Sequence, residues 1–187
     1  MDAFSYLSVL LSIIIGLGIT QLLMAGGRLI RHRDRVRVDW LPLLWAAVLL
    51  IVFVQVWWSM FGLRTYNEWN FFRFLLVLSQ TCALYMMAAL VLPEQIEDTS
   101  VDLAAHYDRQ HRWFFGFFLV TVVVSVVKDL VINHAWPSAT NLGFHGFWTA
   151  IALSAIIVRS RRYQELAGIL GAASFVTYIG ILFMRLR

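Results

Sequence analysis

Residues 41–63 read LPLLWAAVLLIVFVQVWWSMFGL, a stretch of 23 positions without one Asp, Glu, Lys or Arg. An α-helix needs about 20 mainly apolar residues to cross a ~30 Å hydrocarbon layer. Five further runs have similar length and character, at residues 3–27, 74–92, 113–132, 135–158 and 166–184, and no charge falls in the central part of any of them. The fold class expected is therefore all-α: a polytopic integral membrane protein, one six-transmembrane-helix bundle spanning residues 1–187.

Composition points the same way. Hydrophobic residues make up 60% of the chain and charged residues 14%, against about 45–50% and about 25% in soluble domains. The longest polar stretch, residues 93–112, is too short for a separate folded domain. The opening run is expected to stay in the protein as a span. Only Met1 and Asp2 precede it and a run of arginines follows it, the reverse of a cleaved signal's charge pattern. No lipidation motif is visible.

Loop charges set the expected orientation. The first, third and fifth loops carry Arg28, Arg31, Arg33, Arg35, Arg37, Arg109, Arg112, Arg159, Arg161 and Arg162, and the other side carries Arg64, Arg73, Lys128, Arg185 and Arg187. The side richer in Lys and Arg is the cytoplasmic one, so both termini are expected outside the cytoplasm. One Lys against fourteen Arg hints at a GC-rich bacterial source, and hence at the bacterial inner membrane. Residues 28–37 (RLIRHRDRVR) could in principle contact nucleic acid. Anchoring a helix end to anionic headgroups is the simpler reading, and no nucleic-acid partner is expected. Trp40, Trp113, Trp69 and Trp136 fall at the expected interfaces, where amphipathic rings prefer to lie. Belt or packing use also suits the Trp57–Trp58 pair better than cofactor stacking.

Between the third and fourth runs, Thr99 and Asp102 have capping-box spacing, and Leu103, Tyr107, Gln110 and Phe114 fall roughly along one helical face. This segment is expected to be a short cytoplasmic amphipathic helix between helices 3 and 4, or an extension of the fourth span. His106 and His111 lie five apart, and Asp102 with His106 makes only two possible ligands, so no metal site is expected where about four are needed.

Without water to drive apolar burial, helices in a bilayer associate through close backbone approach and interhelical hydrogen bonds. Ser8, Ser12, Gly16 and Thr20 form one small-residue stripe, and Ala167 with Gly171 another. Both read as packing seams, within one chain or between subunits. Polar groups inside the spans are uncharged near mid-depth: Gln21, Gln55 and Gln80 sit at similar levels of the first three helices. Each amide needs a partner, because an unsatisfied one costs several kcal/mol in hydrocarbon. They are expected either to satisfy one another or to line a wet path.

Two further stripes lie toward the other end. Thr121, Ser125 and Asp129 recur every four residues, as do Asn141, His145 and Thr149 on the next helix. Two antiparallel helices joined by a short loop can face these stripes toward each other, placing His145 near a carboxylate. Lys128 is expected to snorkel outward.

Enzyme chemistry finds little support. Bis-histidine haem needs two inward histidines at matched depth, which six-span cytochrome b561 proteins have and this chain lacks. No GxSxG or paired intramembrane aspartates appear. Cys82 is alone in mid-span, where a thiol acts as a small hydrophobe. No cofactor is expected. Two readings remain open. One is a small oligomeric channel-like, transporter-like or ligand-binding bundle with candidate lining residues Gln21, Gln55, Gln80, Ser125, Asp129, Asn141, His145 and Thr149. The other is a non-catalytic accessory subunit whose seams dock a homo-oligomer or another membrane protein.

Overall fold

The computed structural model describes residues 3–66, 68–95, 100–132 and 134–182. Six long helices account for nearly all of them: α1 (Ala3–Arg31), α2 (Trp40–Ser59), α3 (Phe71–Val91), α4 (Leu103–Ile132), α5 (Ala139–Ile157) and α6 (Arg161–Leu182). Five of the six, all but α5, are long and apolar enough to cross a membrane. The chain is therefore an integral membrane protein. α5 has sufficient length at 19 residues, but Thr140, Asn141, His145 and Thr149 fall within its first eleven positions and lower its apolar character.

Local chemistry sets the helix ends. Asp39 caps α2 by accepting from the Leu41 amide at 2.8 Å, Asn70 caps α3 through the Arg73 amide at 2.9 Å, and Ser138 caps α5 through the Asn141 amide at 3.2 Å. Each side-chain oxygen satisfies a first-turn amide that has no partner within the helix. Leu92 is extended, as the residue before Pro93 should be. A 3₁₀ turn over Met60–Thr65 tightens the end of α2.

Of the two expectations for residues 103–112, a short separate helix or an extension of the fourth span, the structure has the extension. No separate amphipathic helix lies there among the described residues; this segment is the first part of the 30-residue α4. Nothing in it interrupts the backbone ladder, and Leu103, Tyr107, His111 and Phe114 continue one buried face into the span. At ~1.5 Å per residue α4 runs ~45 Å, about 15 Å beyond a hydrocarbon layer. Asp102 caps it through the amides of Ala104 at 2.8 Å and Ala105 at 3.2 Å. Its expected capping partner Thr99 lies outside the described residues.

The Arg-rich first loop defines what is called here the proximal end of the bundle, with the α2–α3 and α4–α5 turns at the distal end. Proximal contacts are specific. Val36–Arg37 pairs in parallel with Val101–Asp102, and Asp39 forms an ion pair with Arg161 at 2.6 Å. Arg161 also holds Glu165 at 2.8 Å. Gln164, only 2% exposed, donates to the carbonyls of Ala155 in α5 (2.8 Å) and of Val158, its C-cap (2.7 Å), and accepts from Tyr107 Oη at 2.9 Å. One side chain thus satisfies the end of α5 and ties α4 to α6.

Neighbouring helices close a ring in the order α1, α3, α4, α5, α6, α2, and α2 also reaches across it to α4 and, more extensively, to α3. The α2–α3 contact separates a tight α1–α2–α3 triangle from a five-helix enclosure of α2 through α6. α1 buries Leu11, Ile15, Leu22, Ala25 and Leu29, the 3–4 spacing of a coiled-coil seam. Gly18 lies on the same face, where an added Cβ would overlap the Phe53 ring of α2. Ser12, Gly16 and Thr20 are exposed, and Ser8 is half-buried. The second small stripe packs inside the chain. Ala167 is buried, and a Cβ on Gly171 would lie 2.9 Å from Trp45 of α2.

Gly18→Leu and Gly16→Leu sit two positions apart yet should behave oppositely. Overpacking at Gly18 should cost about 1–3 kcal/mol or more, whereas Gly16 has open space for a Cβ and its substitution should leave monomer stability within about 0.5 kcal/mol. Unfolding titrations in detergent measure both. Equal damage at the two positions would contradict this orientation of α1.

Candidate functional site

The five-helix enclosure holds a cavity of about 290 Å³, near the lower end of the ~300–1,000 Å³ usual for small-molecule sites. Its lining changes character with depth. Toward the distal end each helix from α2 to α5 contributes polar groups: Gln55 and Ser59, Gln80, Ser125 with Lys128 and Asp129, and Asn141 with His145. Toward the proximal end the same helices contribute Trp45, Leu49, Leu84, Met87, Phe118 and Ile151. Because neighbouring helices alternate in direction, residues far apart in sequence order themselves by depth in this way.

The floor is aromatic. Trp45 is 2% exposed and packs against Phe114, Phe115 and Phe118, with ring centroids 5.4, 5.5 and 6.2 Å away. On the α5–α6 side Trp148 meets Tyr178 edge-on at 4.8 Å, and its indole N–H donates to Ser174 Oγ at 3.0 Å. These contacts fix the large rings, so the apolar half has rigid walls.

The polar half contains the chain's one lysine. Lys128 Nζ donates to Gln80 Oε1 at 3.2 Å, and Gln80 is the tenth residue of the 21-residue α3. The expected outward snorkelling is thus corrected: the ammonium turns inward, toward mid-depth. Lys128 lies only about one turn from the end of α4, and a buried amide acceptor outcompetes the headgroup region for it. Among the described residues Lys128 makes no ion pair, and the Gln80 bond is the one hydrogen bond its ammonium donates. Removing an ammonium from water without a contacting anion is costly, so this is the most strongly polar point of the cavity.

The carboxylate meets a different partner from the one expected. Asp129 Oδ2 accepts from Asn141 Nδ2 at 3.2 Å, and no ion pair joins it to His145 among the described residues. His145, 4% exposed, places Nδ1 2.8 Å from the Asn141 carbonyl of its own helix. A carbonyl only accepts, so Nδ1 carries the proton there. The His145 ring lies 5.5 Å from Trp148 and 6.4 Å from Tyr178. Asn141 Oδ1 is buried without a partner among the described residues, which leaves one acceptor at this level unused.

The glutamines separate as well. Gln55 and Gln80 both line the cavity, whereas Gln21 sits on α1 outside it. Among the described residues no hydrogen bond joins any two of the three. Thr149 is also off the wall and donates to the His145 carbonyl at 2.8 Å. Ser125 lines the cavity, but the hydroxyl of its stripe-mate Thr121 is taken by the Phe118 carbonyl at 2.7 Å. Trp57 and Trp58 do not line it. Trp40, Trp113 and Trp136 are exposed, while Trp69 packs against Tyr66 at 5.3 Å. No cluster of metal-ligating residues occurs among the described residues.

Comparison of the chain with protein-family models, with curated proteins and with solved structures gives no match.

Gln80→Leu should destabilise the protein by about 1–3 kcal/mol, because it leaves the Lys128 ammonium facing hydrocarbon without an acceptor. The double variant Gln80→Leu/Lys128→Met should recover much of that loss, since removing both partners costs less than stranding one. Unfolding titrations on the four proteins of this cycle measure the coupling. Simple additivity would mean that the two side chains do not meet.

Proposed function

We propose that this chain is a six-span protein of the bacterial inner membrane that binds a small solute in the cavity between α2 and α6. The observation that carries this reading is the depth-graded lining: polar groups from four helices converge at one end, and a rigid apolar chamber lies behind them. Few precisely placed polar groups beside an apolar wall are the usual anatomy of a small-molecule site. The packed floor of Trp45, Phe114, Phe115 and Phe118 favours a binding or carrier role over an open channel. No enzymatic step is assigned.

The orientation with both termini outside the cytoplasm gains from the inward lysine. With Lys128 turned into the cavity, the cations free to weigh on the distal side are Arg64, Arg73, Arg185 and Arg187, against ten arginines on the proximal side. The positive-inside bias therefore puts the proximal end in the cytoplasm. The cavity's polar half then lies in the outer leaflet.

A second reading, an accessory or oligomeric subunit, is favoured by one observation. The Ser12–Gly16–Thr20 stripe is exposed, with open space around Gly16, and small residues of this kind allow close helix approach in a bilayer. Cross-linking of the Gly16→Leu variant tests it, with loss of the dimer or complex expected.

Octan-1-ol is a suitable neutral probe of the cavity. In protein-loaded nanodiscs, with empty nanodiscs as reference, it should bind saturably at one per chain. Val52→Trp, which fills the chamber from α2, should abolish that binding. Ile51→Trp, on the exposed face of the same helix, should leave it intact. Absence of saturable binding to the wild-type chain, or indifference to Val52→Trp, would overturn the reading.

A further inference from the structure

Resting on the cavity reading above, we infer that the natural ligand is a single-chain amphiphile with a carboxylate head, held with its head at Lys128 and its tail on the apolar floor. Three observations converge on this class.

The first is the state of the cation. Lys128 Nζ is an ammonium with three donors, and one of them is used, on the neutral Gln80 amide. No anion contacts it among the described residues, although it faces a cavity of about 290 Å³. A ligand carboxylate placed there supplies acceptors for the remaining donors and an opposite charge in direct contact, where Asp129 acts on the ammonium only through space. Charge-assisted bonds of this kind are about twice as strong as neutral ones.

The second is the position of the resident acid. Asp129 follows Lys128 on the same helix, but its carboxylate accepts from Asn141 near the start of α5. It therefore engages the cavity nearer the distal end, while Lys128 reaches back to the middle of α3. The two charges serve different levels, and the deeper one is positive. A cationic head would sit beside Asp129, and its tail would then have to pass the lysine to reach the apolar floor.

The third is the chamber below. From Gln80 to Met87 along α3 the wall runs about 10 Å at ~1.5 Å per residue, and the lining residues beyond Gln80 on that helix are Leu84 and Met87. Trp45 closes the end. That depth suits a tail of medium length.

The test compares octanoate, octan-1-ol and octylammonium in nanodiscs containing the full chain, scored by binding at one site per chain. Octanoate should bind wild-type protein about tenfold or more tightly than octan-1-ol. Lys128→Met should abolish that advantage, and helical circular dichroism and a monodisperse elution profile like those of the wild type show that the variant is folded. Lys128→Arg should retain part of the preference. If octan-1-ol binds saturably but octanoate binds no tighter, or if octylammonium binds best, the carboxylate assignment is wrong and the cavity reading stands. If none of the three binds saturably, the cavity reading fails and this inference with it.

Discussion

A positively charged nitrogen held inside an apolar bundle governs the rest of this structure. Lys128 Nζ contacts Gln80 Oε1 at 3.2 Å, and both groups face the same enclosure. Dehydrating an ammonium in low-dielectric surroundings costs several kcal/mol even after relaxation. One amide bond offsets only part of that cost. The surrounding packing must therefore hold α3 and α4 close enough for the bond to form. α3 and α4 are neighbours in the ring and share the most extensive contact between any two helices.

The ring reconciles that requirement with a bilayer environment. Small residues allow α1 to approach α2 at Gly18 and Phe53, and α6 to approach α2 at Gly171 and Trp45. These contacts place α2 centrally and anchor Trp45 as the floor. At the proximal end, Asp39–Arg161 and the three bonds of Gln164 fix α2, α4, α5 and α6 relative to one another. The polar distal half is consequently built on a braced frame. A frame braced in this way lowers the ordering cost of any binding within it.

Much of the architecture was legible in residue order. Charge-free runs near 20 residues identify the helices because hydrocarbon tolerates no unpaired backbone. Their ends were less legible: α4 begins at Leu103 and α6 at Arg161, inside stretches whose arginines resemble loop. Gln164 gave no warning, since a glutamine flanked by Arg161, Arg162 and Glu165 reads as solvated. The candidate site was legible in kind but not in pairing. Four-residue spacing placed Asp129 and His145 on facing stripes, but helix rotation decides which member of a stripe meets which. Here it brings Asn141 to Asp129. Lys128 was equally ambiguous, because a lysine one turn from a helix end can reach headgroups or the interior. Its being the sole lysine among fourteen arginines was the available signal.

That uniqueness also provides the most direct measurement. A chain with one lysine gives one side-chain ¹⁵Nζ resonance in solid-state NMR of the protein in bilayers. The expected spectrum shows an ammonium slow to exchange with D₂O and dipolar-coupled to the Gln80 carboxamide carbon over about 4 Å, as an N–H···O=C bond requires. A rapidly exchanging ammonium with no coupling to Gln80 would place Lys128 in the headgroups and contradict the inward-facing cation on which the site is built.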